Sequence, residues 1–253
     1  MIGIFDSGSG GLTVLSAIRD RLPSADVLYF GDIKNLPYGS KSREELSLLT
    51  IQAIQLLHER GARSIVSACN SVSASLAISL FDAIDIAPEH LIEMVGPTVS
   101  FFRKSPSRLI LCATPATIRS EIYQSAFRMI GKEVEYVAIP DLARAIESGA
   151  GEEELVQIIT QAFALLSLQD FDALILACTH YPLAITAFRK ALGDSTHLFD
   201  PALAVAARVE RQLWPRESGY GKTQFVISKD SEHFRRLASQ LFPEKSYSVE
   251  VLE

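Results

Sequence analysis

Two cysteines stand at matching places in this chain. Ile65-Val66-Ser67-Ala68-Cys69-Asn70-Ser71 aligns with Leu174-Ile175-Leu176-Ala177-Cys178-Thr179-His180. Each is an apolar, strand-length run that ends in Ala-Cys, followed by a polar pair and a helix-like segment. A thiol between a buried strand and a helix meets free N–H groups and the positive end of the helix dipole, which favour thiolate. An ordinary thiol ionises near about 8.5, so modest stabilisation gives a working base at neutral pH. Two such thiols on opposite sides of one ligand suit a stereoinverting proton transfer. One removes a proton from one face of a carbon, and the other delivers a proton to the opposite face. Cys112 lies inside an apolar run with no polar cluster after it, and reads as a small buried hydrophobe.

Residues of this kind need strands that end at a common rim. Apolar runs at Ile2–Phe5, Val27–Phe30, Ser64–Ala68, Leu91–Val95, Leu109–Cys112, Val134–Ile139, Ala173–Ala177, His197–Phe199 and Gln224–Ile227 alternate with helical periods. Ser42 and Glu45 are spaced as a capping box. Leu46, Leu49, Ala53, Leu56 and Leu57 follow at helical spacing, and Gly61 closes that helix. Alternation of this type predicts an α/β fold with parallel sheets and helices on both faces. Residues just past the strand ends then carry the functional weight.

The chain also repeats itself. The cysteines are 178 − 69 = 109 residues apart; Asp6 precedes Cys69 by 63 residues, and Thr114 precedes Cys178 by 64. Gly39 and Gly149 each close the loop after the second strand of their half. This register predicts two pseudo-symmetric α/β lobes with mainly parallel sheets and the active site in the cleft between them. Crossings near Gly96 and Pro201 make residues 1–96 plus 201–253 one lobe, carrying Cys69, and 97–200 the other, carrying Cys178. The polar stretch Pro215–Lys222 reads as a loop, after which a strand and a helix return to the first lobe.

Composition narrows the class. The 253 residues are 48% hydrophobic and 21% charged, which excludes disorder, collagen and a disulfide scaffold. Lys+Arg total 24 and Asp+Glu 30, a formal charge of −6, which argues against nucleic acid or an anionic membrane as partner. No stretch approaches the roughly 18 uninterrupted apolar residues of a membrane span, and no basic leader precedes Ile2. A cytoplasmic location with reduced thiols is the expectation. Neither cysteine has a second ligand at zinc-site spacing, so no metal is expected. Gly8-Ser9-Gly10-Gly11 has Thr13 where a dinucleotide fingerprint needs its third glycine, and no Walker lysine follows. Lys34 and Lys41 read as loop lysines, so no pyridoxal cofactor is expected. His58, His90, His197 and His233 lack partner patterns and read as surface or packing histidines, Trp214 reads as a packing anchor, and Phe101-Phe102 as core or interface.

Four motifs carry a likeness over nearly the whole chain. They are Phe5-Asp6-Ser7-Gly8-Ser9-Gly10-Gly11; Gly31-Asp32 through Pro37-Tyr38-Gly39 with Lys41-Ser42; Ala68-Cys69-Asn70-Ser71; and Cys178-Thr179-His180-Tyr181-Pro182-Leu183. With these the chain resembles the glutamate racemase branch of the cofactor-independent aspartate/glutamate racemase family. The resemblance implies that Cys69 deprotonates the D substrate and Cys178 the L substrate, each reprotonating the carbanion made by the other. It implies Asp6 as acidic partner of Cys69, His180 as partner of Cys178, and Glu147 as a further acid on that side. Ser7, Tyr38, Gly39, Asn70, Ser71 and Thr179 match positions that bind the carboxylates and ammonium, and Thr114 and Thr117 match a Thr-x-x-Thr stretch near the site. Gly8, Gly10, Gly11 and the small hydroxyls suit a tight anion site. By the same resemblance no cofactor is used, the substrate is glutamate, the product feeds peptidoglycan, and the protein is a homodimer. This chain departs from the family pattern at Ser71, usually Thr; at Gly96, usually Glu; and at Pro201, often Ser. The rivals are an aspartate or other amino-acid racemase of the family, a catalytically silent ligand-binding homologue, and a one-cysteine decarboxylase or isomerase.

Overall fold

The computed structural model describes residues 1–75, 86–166, 171–194, 196–243 and 247–252. The first half runs β1 (Ile2–Asp6), α1 (Leu12–Arg21), β2 (Val27–Gly31), α2 (Arg43–Glu59), β3 (Ser64–Ser67) and β4 (Leu91–Ile92). Next come α3 (Val95–Phe102), β5 (Leu109–Ala113), α4 (Pro115–Arg119), α5 (Ile122–Met129) and β6 (Val134–Ala138). They are followed by α6 (Leu142–Glu147), α7 (Glu152–Phe163), β7 (Ala173–Ala177), α8 (Ile185–Leu192) and β8 (His197–Phe199). The chain ends with α9 (Pro201–Gln212), β9 (Thr223–Ile227), α10 (Glu232–Leu241) and β10 (Tyr247–Val251).

The duplication in the sequence is a duplication of topology. One sheet has the order β10-β9-β2-β1-β3-β4 and the other β6-β5-β7-β8. The stretch β2-β1-β3-β4 and the whole second sheet place their second, first, third and fourth strands in the same order. Every strand pair is parallel. Phe5 pairs with Ser67 and Ala113 with Ala177, so Asp6 and Cys69 leave one sheet at a common rim, as Thr114 and Cys178 leave the other. The connection ahead of α2 is a 3-10 turn, Tyr38–Ser40, whereas its counterpart ahead of α7 is the helix α6, with Gly149 just past its end at φ +76°.

Local chemistry explains where elements begin and stop. The Ser42 hydroxyl accepts from Glu45 N–H at 3.2 Å, and the Glu45 carboxylate accepts from Ser42 N–H at 2.8 Å, completing the capping box that starts α2. Gly61 ends that helix at φ +90°, with Ala62 N–H returning to the Leu57 carbonyl. The run Leu91–Val95 is a strand only over its first two residues. Glu93 accepts from Val95 N–H and Gly96 N–H at 2.6 Å each, and this turns the backbone into α3. A Cβ on Gly96 would fall 2.8 Å from Glu93 Oε1. The strand β10 has no counterpart among the sequence-predicted runs. It is an edge strand of half-exposed residues, so burial leaves no continuous apolar run to read.

The two halves are laced together by helices that start in one and pack in the other. β4 feeds α3, whose Val95, Val99 and Phe102 are buried with Leu109, Leu111, Tyr123 and Phe127 of the second half. β8 feeds α9, whose Ala202, Val205, Ala206 and Val209 are buried with Ile2, Ile4 and Leu15 of the first. Trp214 packs on that same core. Of the predicted aromatic pair, Phe102 is buried in the second half and Phe101 is exposed. No helix among the described residues is long and apolar enough to cross a membrane.

Candidate active site

A cavity of about 580 Å³ opens where the strand ends of the two halves meet. Cys69 and Cys178 both line it, together with Ser7, Tyr38, Gly39, Asn70, Ser71, Thr114, Glu147, Thr179 and His180. Asp6 and Thr117 lie one hydrogen bond behind the wall. Asp6 is fully buried; its Oδ2 accepts from Gly8 N–H at 2.9 Å and its Oδ1 from the Thr179 hydroxyl at 3.2 Å. Thr117 shares hydrogen bonds with Thr114 at 3.0 Å and Ser71 at 3.4 Å, while Ser71 and Thr114 are themselves 3.0 Å apart. Three hydroxyls from both halves thus cluster on one wall, a neutral surface that can turn its donors toward an anion. The Ser71 hydroxyl stands within this cluster where the family pattern has Thr.

The glycines of the first motif are there for close approach. A Cβ on Gly10 would fall 2.6 Å from His180 Nδ1 and from Thr179 Oγ1, and one on Gly11 would fall 2.5 Å from Asp6 Cβ. The bare Gly10 lets the turn after β1 sit directly against the Cys178 segment, and the bare Gly11 lets that turn close on Asp6 and Tyr29. Thr13 adds a hydrogen bond from its hydroxyl to the Thr179 carbonyl at 3.2 Å.

The two thiols have unlike surroundings. Burial pushes the Cys69 thiol up to about 12, and the Asp6 carboxylate adds to the shift; the Ser7 hydroxyl and Ser71 N–H act the other way. The free protein therefore holds Cys69 as a thiol. This runs against the thiolate expected from a helix dipole: burial, and after it the Asp6 charge, oppose ionisation of a thiol whose next residues, Asn70–Ser75, form a 3-10 turn. On the other side, Cys178 Sγ is 3.9 Å from His180 Nδ1, and His180 Nε2 is 2.6 Å from Glu147 Oε2. Burial opposes charge on both His180 and Glu147. The hydrogen bonds and charge of Cys178 and Glu147 nonetheless raise His180 well above its usual value. His180 and Ser9 in turn hold Glu147 down at about 2. The pair is an imidazolium facing a carboxylate. Cys112 is fully buried, 3.6 Å from the Ile175 carbonyl, and belongs to the core.

Several residues of the site stayed unread in the sequence. Ser9 donates to Glu147 Oε2 from its hydroxyl at 2.6 Å and from its N–H at 3.2 Å, joining the two halves. Tyr123 donates to Asn70 Oδ1 at 2.7 Å. Asp32 accepts from Tyr38 at 2.6 Å, and burial together with Asp32 keeps that phenol protonated. Lys229, Asp230 and Ser231 line the cavity just past β9, and Arg144 lines it from α6. The strand-end rule applied to Gln224–Ile227 points to residues 229–231, Ser9 and Asp32 lie inside the first two motifs with no role read for them, and nothing in the local sequence marks Tyr123. Among the described residues no group of three or more His, Cys, Asp or Glu could hold a metal ion.

Fold and site together define a two-lobed α/β protein whose pseudo-symmetric halves each present a cysteine to one shared cavity. The chain belongs to the Asp/Glu/Hydantoin racemase family, whose model matches residues 13–209. It is 31% identical to a glutamate racemase of a Thermoanaerobacter species, over 98% of this chain and 95% of that one. It is 35% identical to a glutamate racemase of a Ruegeria species, over 94% of this chain and 95% of that one. Among solved structures it is similar to a glutamate racemase from Bacillus anthracis, with a TM-score of 0.87 and 28% identity over 100% of this chain and 97% of that one. The Francisella tularensis glutamate racemase in complex with D-glutamate is as near, with a TM-score of 0.87 and 27% identity over 100% and 97% of the two chains.

Proposed function

We propose that this chain is a glutamate racemase that interconverts L- and D-glutamate by proton transfer between two cysteines, with no cofactor. The observation that carries this reading is that Cys69 and Cys178 leave equivalent strands of two like sheets and line one cavity. The names of the relatives support glutamate as the substrate. The lobes are residues 1–96 with 201–253, and residues 97–200, a division that the two crossing helices support.

The protonated Cys69 of the free protein is the proton donor that the L-to-D direction needs. Cys178, with the His180 imidazolium at 3.9 Å, is the base that takes the α-proton of L-glutamate. The electron pair left on the α-carbon delocalises into the α-carboxylate, and the hydroxyl and N–H donors of Ser7, Asn70, Ser71 and Thr179 stabilise the resulting dianion. Cys69, held as a thiol, gives its proton to the opposite face, and D-glutamate forms with the two thiols exchanged in protonation. For the reverse reaction the substrate ammonium offsets the Asp6 charge that adds to burial in opposing a Cys69 thiolate. The Ser71 and Thr114 hydroxyls, with Thr117 behind them, receive the side-chain carboxylate. The protein acts in the cytoplasm as a homodimer, and its product serves peptidoglycan. The family resemblance supports these last assignments, and sedimentation of the purified chain tests the dimer.

The reaction is tested by proton NMR in deuterated water with L-glutamate and L-aspartate in separate tubes and no added cofactor. The α-proton signal of glutamate disappears and D-glutamate accumulates; exchange of aspartate alone moves the substrate, and exchange of neither sinks the racemase reading. Cys69→Ser and Cys178→Ser each lose at least about 10³-fold in kcat while still binding glutamate. Loss in one variant only fits the one-cysteine alternative.

A further inference from the structure

Asn70 follows Cys69 directly, is buried, and lines the cavity. Its amide is held at one end only. Oδ1 accepts from the Tyr123 hydroxyl at 2.7 Å, while Nδ2 is buried and has no hydrogen-bond partner among the described residues. A buried amide N–H without an acceptor is costly, and an arriving carboxylate removes that cost. Tyr123 comes from α5, in the half opposite to Asn70, and is fully buried against Phe127 with ring centroids 6.4 Å apart. Core packing therefore sets where its hydroxyl points. Burial and the nearby Glu93 carboxylate push its ionisation upward, so the phenol remains a donor. With an O–H aimed at Oδ1, the amide cannot flip, because flipping would set N–H against O–H.

We propose that Tyr123 is a positioning residue for the reaction: from the opposite half it holds the Asn70 amide so that Nδ2 donates to a substrate carboxylate beside Cys69. Negative charge on the α-carboxylate grows as the carbanion forms, so a donor fixed in advance is worth more in the transition state than in the ground state. The inference rests on the racemase reading of this site. It adds a residue whose side chain does not line the cavity, and it explains why Asn70 is left half-satisfied.

The test is a double-mutant cycle on the full chain with Tyr123→Phe, Asn70→Ala and the double variant, each checked for folding by circular dichroism. Both kcat and KM are measured with glutamate, and D-glutamate binding is read by calorimetry. Tyr123→Phe is expected to lower kcat/KM about 10- to 100-fold, and the double variant to fall within about twofold of Asn70→Ala alone. A purely structural tyrosine would lower the melting temperature, and its loss would multiply with that of Asn70→Ala. Multiplying losses, or a Tyr123→Phe variant within about twofold of wild type, overturn the proposal. If Tyr123→Phe does not fold, Asn70→Asp decides. It keeps the acceptor for Tyr123 but replaces the donor, and is expected to lose about 100-fold or more in kcat/KM; activity within about twofold of wild type overturns the proposal. Wild-type protein that binds glutamate without racemising it sinks the racemase reading instead, and the calorimetric comparison of the variants still reads the Tyr123 brace.

Discussion

At the scale of single residues, the two halves of the site are held in different charge states. Asp6 and burial keep a proton on Cys69, while His180 carries a positive charge toward Cys178 because Glu147 lies 2.6 Å behind it. Glu147 has its folded value lowered to about 2, so its contribution to stability is present above the ordinary carboxylate range and is lost as pH falls toward 2. His180 has its value raised, so its contribution is present below the ordinary imidazole range and is lost as pH rises through the raised folded value. Glu147→Gln keeps the shape and removes the charge. It is expected to move the basic limb of the kcat/KM profile to lower pH by about one unit or more, and to lower activity about 10- to 100-fold. A basic limb at the wild-type position would remove Glu147 from any part in setting the charge on His180.

At the scale of elements, the two crossing helices begin alike. Glu93, one residue before the cap position Met94, accepts from the first-turn N–H groups of Val95 and Gly96, and Asp200, itself the cap of α9, accepts from Ala202 N–H at 2.9 Å. The caps follow β4 and β8, which are equivalent strands of the two sheets. Burial raises both carboxyls, that of Asp200 to about 6. A raised carboxyl favours the fold while protonated. Its contribution is therefore fully present below about pH 4 and is lost as pH rises through about 6. Asp200→Asn keeps an acceptor for Ala202 without the charge. In urea titrations it should be more stable than wild type at pH 7 by on the order of 2 kcal/mol, with the gap closing toward pH 4. An equal gap at both pH values would mean that the carboxylate charge is balanced elsewhere. The family's glutamate at the Gly96 position has a physical replacement here, since Glu93 Oε1 occupies the space that a side chain at 96 would enter.

At the scale of the whole molecule, the halves are joined by the two chain crossings and by hydrogen bonds between them. Phe102 leaves the first sheet's side of the chain to pack in the second half's core, and Val205 does the reverse. Hydrogen bonds from Thr179 to Asp6, Ser9 to Glu147 and Tyr123 to Asn70 cross the same boundary. Equilibrium unfolding is therefore expected to be one transition, coincident by fluorescence and circular dichroism. Phe102→Ala should lower stability by about 3–5 kcal/mol and move that transition without splitting it. Two separated transitions would show that the crossing helices do not couple the cores.

Much of this protein is legible in the order of its residues. Strands buried on both faces must be apolar along their length, so β1, β2, β3, β5 and β7 stand out as runs, and polar residues immediately past them mark the rim where a ligand binds. The repeated Ala-Cys ends carried the duplication, and the sheets share its strand order. The tertiary structure alone decided which residues meet across the cleft. Ser9 and Glu147 are 138 positions apart, and Tyr123 and Asn70 are 53 apart. Neither pair has a local pattern, because a hydroxyl chosen to reach a partner on another element looks like any buried serine or tyrosine. Charge state belonged to that level too. A cysteine at a strand end is an ordinary thiol in sequence, and only its burial beside Asp6 makes Cys69 the group that keeps its proton.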